Sequence, residues 1–315
     1  MSTYPNRQAF TKTLVELAKK DPRILALASD SRGSASLDEF ATQLPAQFVE
    51  VGIAEQNLVG IAAGLAACGK IPFACSPASF LSMRSIEQIK VDAAYSHTNV
   101  KLVGISGGVS YGALGSTHHS LQDLAVTRAI PDLTVIVPSD NRETEVLTQK
   151  MAEWDGPIYF RTGRGPVPEV HDQSFLPEIG KGCLLLPGNE VTIVATGEVV
   201  RAALDAGILL KKLGIDARVI EIHTIKPIDR ELLIAAAEET GAVVTVEEHS
   251  VYGGLGGAVA ELLCQNRPIP MRIMGVPDEP VITGSQAEIF KYYGLTAGGI
   301  AQQVQELLNV KQKAG

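Results

Sequence analysis

A chain of 315 residues with 45% hydrophobic content can bury two ordinary cores, and its net charge of −8 is spread over both halves without a Lys/Arg cluster, which offers nucleic acid no track. The N-terminal MSTYPNRQAF lacks a basic-then-apolar leader pattern, and the longest uncharged runs are short and broken by Gly or Pro, so a soluble, cytoplasmic protein with no membrane partner is expected. Cys68, Cys75, Cys183 and Cys264 stand far apart in apolar contexts without a CxxC pair, which predicts reduced core thiols and neither disulfides nor a metal site.

Asn6 is expected to cap a helix running to about Lys20, with Phe10, Leu14 and Leu17 on one face and Asp21-Pro22 ending it; Arg7 then lies in the first turn. RILALAS, from Arg23 to Ser29, reads as a buried strand, and DSRGSAS after it is a loop at the strand's carboxyl end, where α/β folds meet ligands. From Phe48 to Gly69 the sequence is FVEVGIAEQNLVGIAAGLAACG. Val49 and Val51 suggest a short strand, and Leu58, Ile61, Ala62 and Leu65 then repeat at helical spacing, which puts Glu55 at the helix start among small and apolar neighbours. From the pattern alone that acid either complements the helix dipole and first turn or serves chemistry. IPFAC suggests another strand, and Ser79 to Tyr95 a helix with Phe80, Met83, Ile86 and Ile89 nearly in line, a stripe that normally means core packing.

VKLVGIS reads as the next strand, followed by GGVSYGALGSTHHSLQD, a glycine-rich loop ending in paired histidines before a helix near Ser120. Loops this rich in glycine rarely serve as mere connections. LTVIVPS is a strand, Asn141 to Trp154 a helix, and PIYFRTGRGPVPEV a strand that runs into an irregular segment. A domain boundary is expected between about Pro166 and Pro177. Beyond it come EVTIVAT, a helix from Glu198 to Leu213, DARVIEI, a helix near Asp229 to Thr240, AVVTVEE, the GGLGGAVAELL helix, PMRIMGV and terminal helices. The expected fold is therefore α/β with two doubly wound domains, a larger parallel-sheet domain over 1–170 and a smaller one over 171–315.

Two local motifs fail on context. GISGG, Gly104 to Gly108, has the spacing of a hydrolase elbow with Ser106 as nucleophile, but a loop containing Val109, Gly112 and Gly115 intervenes where a helix should begin at once. YGGLGGAVAE resembles a dinucleotide fingerprint, yet counting from Gly254 and Gly256 the third glycine position holds Val259. Close helix packing explains those glycines better.

In combination, VGIAEQNLVGIAAGLA, SFLSMRSIEQIKVDAAY, THHSLQDLAVTRAIPDLTVIVPSD, HTIKPID and VTVEEHSVYGGLGGAVAELL resemble the pyrimidine-binding and C-terminal domains of transketolases over nearly the whole chain. Deoxyxylulose-phosphate synthases and the beta chains of 2-oxoacid dehydrogenases share the domain pair and remain alternatives, as does a non-catalytic regulatory or scaffolding subunit. The resemblance implies thiamine diphosphate as cofactor, with Glu55 hydrogen-bonded to a nitrogen of its aminopyrimidine and driving the imino tautomer that deprotonates the thiazolium carbon. A Glu55 enclosed by Ile53, Ala54 and the cofactor can share that proton near neutral pH. Phe80, Met83 and Ile86 are implied to line the aminopyrimidine pocket, with Met83 standing where an aromatic ring is usual.

By the same resemblance His118 meets the sugar as a catalytic group, and Arg7, Ser34, Ser106 and Arg161 contact the substrate, the arginines binding its phosphate. Ser106 replaces a family histidine and Leu114 a family aspartate, which implies a sugar different from the usual pentose phosphates. The GDG-and-Asn stretch that holds the diphosphate through Mg²⁺ or a similar divalent ion does not occur in the sequence. A separate N-terminal transketolase subunit is expected to carry it, with a homodimer of this chain inside a heterotetramer. The expected reaction is transfer of a two-carbon ketol unit from a phosphorylated ketose to an aldose.

Overall fold

In the computed structural model, which describes residues 4–314, the apolar runs of the first half form β1 (Ile24–Ala28), β2 (Phe48–Glu50), β3 (Ile71–Pro77), β4 (Lys101–Ile105), β5 (Thr134–Ile136) and β6 (Ile158–Arg161). Between them lie α1 (Asn6–Ala18), α2 (Asp38–Gln43), α3 (Glu55–Ala67), α4 (Ala78–Arg84), α5 (Ile86–Gln88), α6 (Asp123–Arg128) and α7 (Asn141–Glu153). Every residue of β1, β3, β4, β5 and β6 is buried, as expected of parallel strands covered by helices on both faces.

The second half supplies β7 (Cys183–Leu186), β8 (Val191–Ala195), β9 (Ala217–Glu221), β10 (Thr224–Lys226), β11 (Val243–Ser250) and β12 (Met271–Val276), with helices α8 (Val200–Lys212), α9 (Arg230–Thr240), α10 (Leu255–Asn266), α11 (Gln286–Tyr292) and α12 (Ala297–Ala314). The seven-stranded sheet runs β10-β5-β6-β4-β3-β1-β2 and the five-stranded sheet β12-β11-β8-β9-β7. Each sheet is parallel except at one edge: β10 lies antiparallel on β5, and β7 antiparallel on β9. Sequence reading expected neither edge, because β10 is only three residues long and β7 is half exposed. One continuous apolar cluster joins Leu58 and Val59 of α3 to Ile222, Ile225 and Leu255 of the second half, so the two sheets share a core.

Three local expectations are corrected. Asn6 is helical and fully buried, and the cap position belongs to Pro5 without a side-chain bond; the fixed φ of proline suits that place. The helix expected from Ser79 to Tyr95 breaks at Ser85, whose φ of −114° and ψ of 22° leave the helical region. Ser82 and Ser85 donate their hydroxyls back to Ala78 O and Leu81 O, a bond that bends helices, and the chain resumes as α5 and then a π-helical turn over Ile89–Tyr95. Among the cysteines only Cys75 is fully buried, whereas Cys68, at the end of α3, and Cys264 on α10 are exposed.

The glycines of YGGLGGAVAE do serve packing. A side chain at Gly254 would strike Glu247, whose carboxylate accepts from Leu255 N and Gly256 N at 2.8 and 2.7 Å and so fills the start of α10. A nucleotide phosphate has no room there.

Candidate active site

The turn before α3 uses Gly52 at φ 74°, a left-handed conformation that glycine adopts without strain, and α3 then opens on Glu55 with no capping side chain at Ala54. Glu55 is 5% exposed. Its partner is Arg84, the last residue of α4, whose Nη1 donates to both carboxylate oxygens at 3.0 and 3.1 Å. Ile53, expected to enclose the acid, is instead exposed, as is Met83.

Arg84 stands four residues after Phe80 on the same helix face, and its guanidinium carbon lies 4.1 Å from the Phe80 ring centroid. The other edge of Phe80 meets the His118 ring at 5.2 Å, and His118 meets Tyr111 at 5.2 Å, both edge to face. Tyr111 in turn carries the Arg164 guanidinium 4.9 Å above its ring. A continuous line of side chains thus runs from Glu55 through Arg84, Phe80, His118 and Tyr111 to Arg164.

Arg7 joins the far end of this line. Burial and the charge of Arg164 lower its pKa from the usual arginine value, while Tyr111 acts the other way. Arg7 Nη1 donates to the Ser34 carbonyl at 2.6 Å, so Ser34 contributes backbone to the site. The Arg7 Nε and Arg164 Nη1 atoms are buried and have no hydrogen-bond partner. Two neighbouring guanidinium groups with unsatisfied N–H donors have the chemistry to receive an anion.

The paired histidines separate into two roles. His119 is buried, its Nε2 against Gly112 O at 2.9 Å, and burial lowers its pKa. His118 is half-buried, with Nδ1 2.9 Å from Thr117 Oγ1 and its ring between Phe80 and Tyr111. Leu114, on the same loop, is exposed.

The transketolase pyrimidine-binding domain family matches residues 2–169, and the transketolase C-terminal domain family residues 180–300. The chain belongs to the transketolase family. It is 51% identical over 303 residues to an apulose-4-phosphate transketolase subunit from Phocaeicola vulgatus, covering 96% of this chain and 97% of that one. It is 40% identical to the 6-deoxy-6-sulfo-D-fructose transketolase subunit SqwH of Clostridium sp. strain MSTE9, over 97% and 95% of the two chains. Among solved structures, a split gene transketolase described as an inactive beta4 tetramer superposes with a TM-score of 0.88 at 43% identity, covering 97% of this chain and 98% of that one. The chain is thus a subunit of a split transketolase, a transferase that acts with a partner subunit.

Within this transketolase subunit, two expected substrate contacts lie elsewhere. Ser106 is fully buried at φ 57°, and loop rather than helix runs on from it as far as Tyr111. Arg161 is 4% exposed and turned into the junction between the sheets, where Nη2 donates to Glu248 O at 2.7 Å and the guanidinium faces Asp123 at 3.6 Å and the Glu248 carboxylate at 3.7 Å. Space for about 10 Å³ remains beside it, lined by Gly107, Glu198 and Glu248, at most one water. The arginine that reaches the site is Arg164, three residues later in RTGRG, because Arg161 still belongs to β6 and points where the strand dictates. Ile86 lies beyond the break at Ser85 and packs, half-buried, on the core. Sequence reasoning missed Arg84, Tyr111 and Arg164. Only the four-residue spacing of Arg84 from Phe80 could have signalled one of them.

Proposed function

We propose that this subunit contributes the aminopyrimidine half of a thiamine diphosphate site and the sugar-binding floor of a ketol transferase, completed by a separate chain. The observation that carries the reading is Glu55, a buried carboxylate at a helix start beside a Phe80 ring whose face the Arg84 guanidinium occupies. These residues fit the cofactor, because the pair already accepts a flat, N–H-donating cation, in the form of the Arg84 guanidinium, through a carboxylate and a ring face. Phe80 and Met83 would hold the ring by its faces, and a Glu55 oxygen would share a proton with the ring nitrogen. When bound, thiamine diphosphate supplies a nucleophilic carbon that takes up a two-carbon ketol unit.

His118 would then meet the sugar. Its Nδ1 is engaged by Thr117, which leaves Nε2 to exchange a proton with a sugar hydroxyl or to steady an alkoxide. Arg7 and Arg164, in place of Arg161, would take the sugar's anionic end through their unpartnered nitrogens. The named substrates of the two relatives, a sugar phosphate and a sulfonated sugar, both carry such an end. Ile53, Met83 and Leu114 around the cleft are exposed apolar ground suited to cover by the chain bearing the GDG and Asn motif and its divalent ion. We take the assembly as a homodimer of this chain flanked by two such partners, in the cytoplasm, with domains over 1–170 and 171–315.

The test is Glu55→Gln in the assembled enzyme. An amide cannot share the proton, so turnover should fall by about two to four powers of ten with the far-ultraviolet spectrum unchanged. Turnover within twofold of the wild type would return Glu55 to the role of helix-dipole complement.

A further inference from the structure

We propose that Arg84 is a resident stand-in for the aminopyrimidine, occupying Glu55 and the Phe80 face until the cofactor displaces it. The inference rests on the aminopyrimidine reading of those two residues. One Arg84 nitrogen binds both Glu55 oxygens at 3.0 and 3.1 Å, and the guanidinium carbon sits 4.1 Å over the Phe80 ring. A bound aminopyrimidine needs the same carboxylate and the same ring face, so both groups cannot hold them together.

Proton sharing sharpens the conflict. A guanidinium nitrogen that bridges both oxygens takes one lone pair on each, and with its carbon over Phe80 it fills the space between carboxylate and ring face that an aminopyrimidine would have to enter. Glu55 can therefore serve the cofactor only after Arg84 withdraws. The structure makes withdrawal inexpensive: the Arg84 side chain is 48% exposed, it ends α4 just before the break at Ser85, and its side-chain hydrogen bonds among the described residues are those to Glu55. In the unpaired chain the same contact keeps a buried carboxylate from standing alone among apolar neighbours, which is the costly alternative. Arg84 thus stabilises the chain ahead of assembly and slows cofactor entry afterwards.

The experiment compares wild type and Arg84→Met, each assembled with the partner chain, by equilibrium dialysis of thiamine diphosphate with Mg²⁺ and by stopped-flow association. Methionine keeps the length and apolar stem but cannot pair with Glu55. Cofactor Kd should fall about three- to tenfold in Arg84→Met, the strength of a half-exposed ion pair with a ring contact. Wild-type association rates should level off as cofactor concentration rises, because departure of Arg84 becomes limiting, and the variant should lose that plateau. A Kd in Arg84→Met equal to or weaker than wild type overturns the proposal. If the variant does not fold, a wild-type rate that stays linear in cofactor concentration overturns it instead. Full turnover of Glu55→Gln would be the separate failure of the underlying reading, since neither binding measurement depends on catalysis.

Discussion

Two of the arginine–glutamate pairs in the molecule, Arg161–Glu248 and Arg84–Glu55, differ in almost everything except their residue types. Arg161 and Glu248, at the junction of the two sheets, are both nearly fully buried and belong to a network: Glu248 Oε1 accepts from Val109 N at 2.9 Å and Gln286 Nε2 at 3.0 Å, and Gln286 also donates to Glu198 at 2.9 Å. Side chains at Gly107 or Gly163 would strike Arg161 and Glu198, so the backbone is cut to fit. Arg84 and Glu55 share one donor nitrogen at the edge of an open cleft. A pair enclosed in such a network is architecture, whereas a pair held at one end by a half-exposed side chain is available for exchange.

The largest expected effect lies in the sealed pair. Burial disfavours the charge of Arg161, but Asp123, Glu248, Tyr159 and Glu198 outweigh it and raise its pKa. Removing the cation leaves buried acids uncompensated, so Arg161→Met should cost about 3–5 kcal/mol in urea denaturation of the isolated chain. A loss below about 1 kcal/mol would erase the contrast between the pairs.

Arg164→Ala sharpens the comparison from the other side. The guanidinium is half-buried, beside Tyr111 and with a bare nitrogen, so stability should hold while KM for a phosphorylated sugar rises about tenfold to a hundredfold and kcat changes less. Unchanged KM would remove Arg164 from the anion site and reopen the question of Arg161.

The smallest effect is in pH. Burial and the neighbouring Glu248 charge raise Glu198 to about 8, and burial raises Glu221 to about 7. Because their folded values exceed the ordinary glutamate value, the folded chain binds more protons; this contribution is full below that value and is lost as pH rises through about 8. His223, lowered to about 3 by burial and then by His171, acts in the opposite sense and costs stability only as pH falls below its ordinary range. Lys101, lowered to about 7 by burial, gains stability over the same span in any variant, so the readout is a difference: in scanning calorimetry the wild type should lose roughly several degrees of Tm relative to Glu198→Gln between pH 7 and 9. Parallel profiles for the two chains would show that the junction is not sealed against ionisation.

The alternation of buried strands and amphipathic helices was legible because both periods are written locally, and Glu55 stood out as an acid where apolar residues surround a helix start. What failed were features decided across distance. Arg161 and Arg164 share the RTGRG segment, and only the direction of β6 tells which one enters the junction. His118 and His119 are adjacent, and only the position of Gly112 O tells which is bound to backbone. Arg84 could be seen as a neighbour of Phe80, but its pairing with Glu55 crosses between two helices. The break at Ser85 was hidden because serine hydroxyls bend a helix according to whether they turn back on the backbone, which composition does not reveal.

The strand β10 has a consequence for how the protein can be made. The seven-stranded sheet is finished at one edge by Thr224–Lys226, which lies on the far side of β7, β8 and β9 in the chain. A ribosome that has released only the first 170 residues has produced a sheet with an open flank, ready to pair with any extended stretch nearby. The two halves are therefore not cassettes that can be cut apart and expressed alone. Severing the chain between them should leave the first half prone to clump through β5 until the second is supplied to close it.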